Sequence, residues 1–334
     1  MCHAHTNHAL IDSTPMPTTH TTPTDESTAT GSSAPQTDSP ATDDFLRIDD
    51  LTPAELAQVL DRAAAMKAGE DDAQLPEATL GMLFEKPSTR TRVSFETGMT
   101  QLAGHAQFLG PDDIQLGHGE PLKDTARALG RYVDAVMARV FDHDDVETLA
   151  EYADCPVVNG LTDDAHPCQT LADLLTLRET VGTDATVAWI GDGNNVGQSF
   201  VVGAAMAGVD VAVATPAEYA MDESVLDRAA AFGADVEPTT DPAAAVADAD
   251  VVYTDVWVSM GEESERAEKL APFDGFQVNE ELLAGTDAKV MHCLPAHRGE
   301  EITDGVLESD RALVWDQAEN RLHAQKALLV ELLA

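Results

Sequence analysis

The sequence predicts an α/β protein of two doubly wound parallel-sheet domains joined by a helix, with a C-terminal helix folding back on the first domain. Three observations carry this. Short apolar runs alternate with helical-period segments along almost the whole chain beyond residue 45, the signature of repeated βα units. A long helical pattern over 169–181 separates two such series. At 334 residues and 43% hydrophobic content, the chain can fill two cores of ordinary size.

Residues 1–44 are rich in Thr, Ser, Pro, Asp and His and show no apolar period, so a disordered tail is expected there, with Met16 an alternative start. Its scattered histidines, His3, His5, His8 and His20, are read as solvated. The first domain is placed at 45–180. It opens on a helix signalled by Thr52 and Glu55 in a capping box, Pro53 at the first helical position, and Leu56, Val59 and Leu60 at helical spacing. Strands are expected at 79–84, 106–109, 135–140 and 157–159, with helices from about residue 89 and over 121–132 and 146–152. The second domain is placed at 181–317, with strands at 186–190, 210–214, 251–254, 289–292 and 313–315. Helices are expected at 223–232 and 242–247. Residues 318–334 carry Leu322, Ala324, Leu328, Leu329 and Leu332 on one helix, the element expected to return to the first domain.

Acidic residues number 60 against 19 basic ones, a formal charge of -41. Such a surface repels nucleic acid and anionic membrane, so neither is an expected partner. The acids run through well-patterned segments as well as turns, which fits adaptation to concentrated salt better than an acidic tail. In molar salt the Debye length falls to about 3 Å and self-repulsion is screened. The four cysteines, Cys2, Cys155, Cys168 and Cys293, lack the short paired spacing of metal or disulfide scaffolds and read as reduced thiols. No apolar run approaches a membrane span and the N-terminus lacks a basic start and an apolar core, so a cytosolic location is expected.

The segment Phe-Glu-Lys-Pro-Ser-Thr-Arg-Thr-Arg-Val-Ser-Phe-Glu at 84–96 places hydroxyls and arginines where a strand ends and a helix begins. Backbone N–H groups and the positive end of the helix dipole face an anion there, and Ser88, Thr89, Arg90 and Thr91 add charge-assisted donors. A small phosphorylated substrate is the expected ligand. The blander possibility is that Ser88 only caps the helix and the arginines are surface charges.

This segment resembles the carbamoyl phosphate signature of the aspartate and ornithine carbamoyltransferase family. Three further stretches agree with the ornithine branch: His166-Pro167-Cys168-Gln169, Asp255-Val256-Trp257-Val258-Ser259-Met260-Gly261, and His292-Cys293-Leu294-Pro295. Lys86 follows the same branch. The resemblance implies that Ser88, Thr89, Arg90 and Thr91 hold the phosphate. It implies that Arg139 bridges phosphate and carbonyl oxygen, that His166 and Thr91 complete the donors to that oxygen, and that Gln169 binds the carbamoyl nitrogen. Gln115 resembles a residue reaching the phosphate of a neighbouring subunit, which implies a trimer or a multiple of trimers. For ornithine, the implied ligands are Asp255 and Ser259 at the α-amino group and Asn195 with the Met260 backbone at the carboxylate. Cys293 and Leu294 would meet the reacting end, and Arg321 the carbamoyl group. No metal or organic cofactor is expected, and Gly261 is the expected hinge of a closing loop at 259–265.

Physical chemistry asks for the same groups. Attack on a carbonyl builds charge on its oxygen, so fixed donors such as Arg139 and His166 stabilise the transition state. An amine arrives as an ammonium ion and must be neutral to attack, so Asp255 and Cys293 are candidates for orienting it. The plain alternatives are a strand-end charge for Arg139, a strand terminator for His166 and a buried thiol for Cys293. Transfer of a carbamoyl group to the δ-amine of ornithine is the expected activity. Putrescine or an acylated ornithine is the nearest competing acceptor, and an inactive paralogue that only binds carbamoyl phosphate is a remoter possibility. The Gly-Asp-Gly-Asn-Asn-Val-Gly run at 191–197 raises a dinucleotide-binding dehydrogenase as a rival, but its spacing is one residue too long and the next strand ends without an acidic residue.

Overall fold

The computed structural model describes residues 44–111, 119–233, 236–258 and 266–334. The tail expected to be disordered, apart from residue 44, lies outside the described residues. The strands are β1 (Thr79–Phe84), β2 (His105–Leu109), β3 (Ala135–Arg139), β4 (Val157–Leu161), β5 (Thr186–Ile190), β6 (Asp210–Ala214), β7 (Val236–Thr239), β8 (Val251–Thr254) and β9 (Lys289–His292). The helices are α1 (Pro53–Ala68), α2 (Thr89–Gln101), α3 (Leu122–Leu129), α4 (His143–Tyr152), α5 (Pro167–Thr180), α6 (Asn195–Ala207), α7 (Glu223–Ala230), α8 (Pro242–Val246), α9 (Arg266–Leu270), α10 (Asp304–Leu307) and α11 (Val314–Leu333). They build two all-parallel sheets, of order β2-β1-β3-β4 and β7-β6-β5-β8-β9. The described residues, from 44 onward, belong to one compact unit.

Alternation along the strands divides the apolar side chains among three clusters, as the period of two requires. In β1 and β3, Leu80, Met82, Ala135 and Met137 face one cluster, while Leu83, Val136 and Ala138 face another with Val146 and Leu149 of α4. In β5 and β8, Val187, Trp189 and Tyr253 join the first cluster, while Ala188, Ile190 and Val252 face a third with Phe273 and Val306. One cluster thus serves a face of each sheet, and α5 and α11 supply Leu171, Leu174, Leu175, Ala324 and Leu328 to it. Helix α11 packs on α1, α2 and α5, which is the return expected of the C-terminus. Thr52 caps α1 and Glu55 closes the capping box.

Two expectations fail. The run 313–315 is not a strand: Leu313 is the N-cap of α11 and is not extended (φ -96°, ψ 9°), Val314 begins the helix, and the isolated bridge to β9 is made by Ala312, just before the run. Three apolar residues are too few to separate the two periods. Strand β7 was not expected, because Val-Glu-Pro-Thr on a sheet edge carries little apolar signal.

No helix among the described residues is long and apolar enough to cross a membrane. With a charge of -41 to hold together, the melting temperature is expected to rise by roughly 10 °C or more between 0.15 M and 3 M KCl. A scanning calorimetry series showing no rise would remove self-repulsion as a controlling influence.

Candidate active site

In a doubly wound sheet, ligands bind beyond the carboxyl ends of strands where the chain order reverses. The first sheet reverses between β1 and β3, and the second between β5 and β8. The loops after these four strands carry the motifs at 84–96, 139, 191–197 and 255, and they open onto one cleft of about 1010 Å³. Every predicted site residue within the described chain lines it: Ser88, Thr89, Arg90, Thr91, Arg139, His166, Gln169, Asn195, Asp255, Cys293, Leu294 and Arg321. Gln115, Ser259 and Met260 lie outside the described residues, as does Gly261.

The anion side is built on the start of α2. Ser88 is the N-cap, its Oγ accepting from the Thr91 N–H at 3.3 Å and donating to Thr91 Oγ1 at 3.1 Å. Arg139 ends β3 beside it, 5% exposed, with its Nε lacking any partner. Burial, then the charges of Arg321 and Arg90, push the Arg139 pKa down to about 9. Guanidinium stays protonated at neutral pH. A desolvated guanidinium beside Arg321 and Arg90 is a favourable place for an arriving dianion. Arg92, the second arginine of the motif, is instead ion-paired with Glu96 at 3.0 Å and stacked on Phe108 at 3.8 Å.

His166 precedes α5 and is 5% exposed, with Nδ1 unpartnered. Burial, then Arg321, Arg139 and Arg90, hold its imidazole well below the usual range, so it is a neutral donor. Arg321 reaches in from α11, its Nη1 donating to Gln169 Oε1 at 2.8 Å and its Nη2 to Thr91 Oγ1 at 3.2 Å. With its amide turned to satisfy its neighbours, Gln325 accepts from Arg321 Nε at 3.1 Å and Nη2 at 3.0 Å and donates to Ser94 at 2.6 Å.

The second side is built on β8, β9 and α6. Asp255 follows β8, is 5% exposed, and accepts from Asn194 Nδ2 at 3.0 Å and from the Cys293 thiol at 2.9 Å. Burial, then Asp255, push Cys293 well above its ordinary range, so the thiol is a donor and not a nucleophile. His292 Nδ1 accepts from the Leu294 N–H at 2.8 Å, which leaves Nε2 to donate to Glu301 at 3.0 Å. Leu294 itself has φ of 59°. Asp255, His292 and Cys293 put ligand-type atoms within 4.8 Å of one another, but both ring nitrogens of His292 are already committed. Asn195 lines the cleft while its Nδ2 donates to the Thr162 carbonyl.

Several cleft residues escaped the sequence reading. Asn194, whose Oδ1 caps α6 on the N–H groups of Val196 and Gly197, had to be seen in place to be recognised as the holder of Asp255. Lys269, 3.0 Å from Asp192, lines the second side. Lys86, noted only as a branch marker, also lines the cleft, with its ammonium 4.3 Å from the Phe141 ring. His297 lines it too, whereas Arg298 turns away to Asp304 and Glu308. The glycines at 191–197 have packing reasons. A Cβ on Gly197 would lie 2.6 Å from Trp189, and one on Gly193 would lie 2.7 Å from the Ala220 carbonyl. That removes the main support for a dinucleotide site.

Comparison with known proteins agrees with the geometry. Residues 43–179 match the family described as aspartate/ornithine carbamoyltransferase, carbamoyl-P binding domain, and residues 183–332 match its Asp/Orn binding domain. The ornithine carbamoyltransferase of Haloquadratum walsbyi is 70% identical over 88% of this chain and 99% of its own. That of Methanoculleus marisnigri is 55% identical over 87% and 97%. The solved ornithine carbamoyltransferase of Pyrococcus furiosus superposes with a TM-score of 0.81 at 52% identity, covering 86% of this chain and 95% of that one.

Proposed function

The chain belongs to the aspartate/ornithine carbamoyltransferase family, and from that membership and the cleft we infer that it transfers the carbamoyl group of carbamoyl phosphate to the δ-amine of ornithine. The products are citrulline and phosphate. The observation that carries this is the meeting of two opposite-charge sites in one cleft, guanidiniums around the start of α2 and a buried carboxylate with a thiol at the ends of β8 and β9. One suits a phosphate dianion and the other an ammonium ion.

In this reading the phosphate sits on the N–H groups, hydroxyls and Arg90 at the start of α2, with Arg139 spanning phosphate and carbonyl oxygen. Arg139, the His166 N–H and Thr91 stabilise the charge that grows on that oxygen during attack. The amine sheds a proton, its nitrogen bonds to the carbonyl carbon, and the bond from carbon to the phosphate oxygen breaks. Of the two protons the ammonium loses, one leaves with phosphate and one goes to solvent. Asp255 and Cys293 orient the amine, with Asn195 near the carboxylate end. The domain boundaries at 45–180 and 181–317, a cytosolic location, and a trimer-based assembly with Gln115 reaching a neighbouring copy are parts of the same proposal. So is salt adaptation, which the acidic composition and the likeness to Haloquadratum walsbyi support.

A citrulline assay in concentrated KCl, with ornithine, putrescine and aspartate as competing acceptors, tests the reading. Folded protein that makes no citrulline from ornithine would refute it. Arg90→Ala is expected to weaken carbamoyl phosphate binding about a hundredfold by removing a charge-assisted contact. An unchanged dissociation constant would mean that the start of α2 does not hold the phosphate.

A further inference from the structure

Beneath the cleft lies a buried carboxylate to which the reaction as described gives no role. Asp173, on α5, is 0% exposed. Its Oδ1 accepts from Gln169 Nε2 at 2.8 Å and Gln317 Nε2 at 2.7 Å, and its Oδ2 accepts from the Tyr253 hydroxyl at 2.9 Å. Burial pushes its pKa up to about 7, against the hydrogen bonds from Gln169, Gln317 and Tyr253. An acid in so costly a place, with three donors aimed at it, calls for an explanation.

The two glutamines supply it. Each has its amide direction fixed at both ends. Gln317 Oε1 accepts from the His292 N–H at 2.9 Å, so its NH₂ must face Asp173. Gln169 Oε1 accepts from Arg321 at 2.8 Å, so its NH₂ must face Asp173 as well. The Arg321 contact is exchangeable, because the same guanidinium lines the cleft and is the group that the family resemblance assigns to the carbamoyl group. The Asp173 contact is not exchangeable, since no substrate reaches a fully buried side chain. We propose that Asp173 is a positioning and specificity residue. By holding the NH₂ of Gln169, it obliges the amide to present an oxygen to the cleft, an acceptor for a carbamoyl N–H. A free amide could turn over and present a donor, which would no longer favour a carbamoyl NH₂ over a methyl group.

This inference rests on the carbamoyl phosphate reading, and its test separates the two. Phosphonoacetamide and acetonylphosphonate are stable probes that differ by NH₂ against CH₃. Their dissociation constants are measured by calorimetry in molar KCl on the full chain. If the wild-type chain binds neither, the reading of the substrate fails. If it prefers the amide, Asp173→Leu is expected to shrink the ratio of the two constants about tenfold, by loss of the oriented hydrogen bond. Asp173→Asn keeps an acceptor oxygen toward the two glutamines and is expected to preserve the ratio within about threefold. A general loss of stability lowers the folded fraction but does not move a ratio of two ligands. The proposal is overturned if folded Asp173→Leu keeps the full preference, or if Asp173→Asn loses it. Should the leucine variant not fold, Asp173→Ala, which removes the same acceptor, takes its place with the same expected and overturning results.

Discussion

Arg139→Met is expected to lower kcat about a thousandfold while the protein melts at a higher temperature than the wild type. The loss follows from its place. Arg139 stands at the end of β3, where the first sheet reverses, and is the donor that reaches phosphate and carbonyl oxygen together in the proposed function. Removing one donor to a developing oxyanion typically costs about 10² to 10³ in kcat, and this donor also meets the leaving group. The gain in stability follows from its burial. Its folded pKa is pushed down to about 9 by burial and by Arg321. A basic group with a depressed folded pKa opposes folding while it is charged, at every pH below that value, and the opposition disappears only above the unfolded pKa. Methionine fills most of the volume without the charge. Steady-state kinetics and a thermal scan on the same sample check both halves. A variant with kcat within tenfold of wild type would remove Arg139 from the transition state, and a lower melting temperature would mean that it is structural.

How far the sequence foretold this differs from one part of the chain to another, for physical reasons. Strands β1, β5, β6, β8 and β9 coincide with the expected spans, because a parallel strand covered on both faces is a continuous apolar run with sharp ends. The edge strand β7 has no such run. Helix α11 begins at Val314, four residues before its expected start, since Gln317 and Asn320 look like surface residues in the sequence. They are buried because Gln317 answers Asp173 and Asn320 answers Thr176 and Glu179. The cleft was legible wherever its chemistry sits in one contiguous motif, as at 84–96. The buried carboxylate beneath it was not, because Asp173 takes its meaning from β8 and α11, 80 and 144 residues away in sequence. A helix of known period shows which residues share a face, but not which distant donor that face will meet.

Asp255→Asn should separate the two substrates. The Michaelis constant for ornithine is expected to rise about a hundredfold, while the dissociation constant of carbamoyl phosphate stays within about threefold. The substitution is unusually clean because of Asn194. That side chain spends its Oδ1 on the N–H groups of Val196 and Gly197, so its NH₂ cannot turn away from residue 255. The introduced amide must therefore set its oxygen toward Asn194 and its NH₂ toward Cys293, whose sulfur is a weak acceptor. Shape and position are conserved, and the negative charge alone is lost. Ornithine enters as a cation at both amines, so a carboxylate 5% exposed at the cleft wall is worth far more to it than a surface acid would be. Molar salt screens surface charges within a few ångströms but screens a desolvated pair much less. The effect should accordingly persist in 3 M KCl. An unchanged ornithine constant, or an equal loss of carbamoyl phosphate binding, would mean that Asp255 shapes the cleft without receiving the amine.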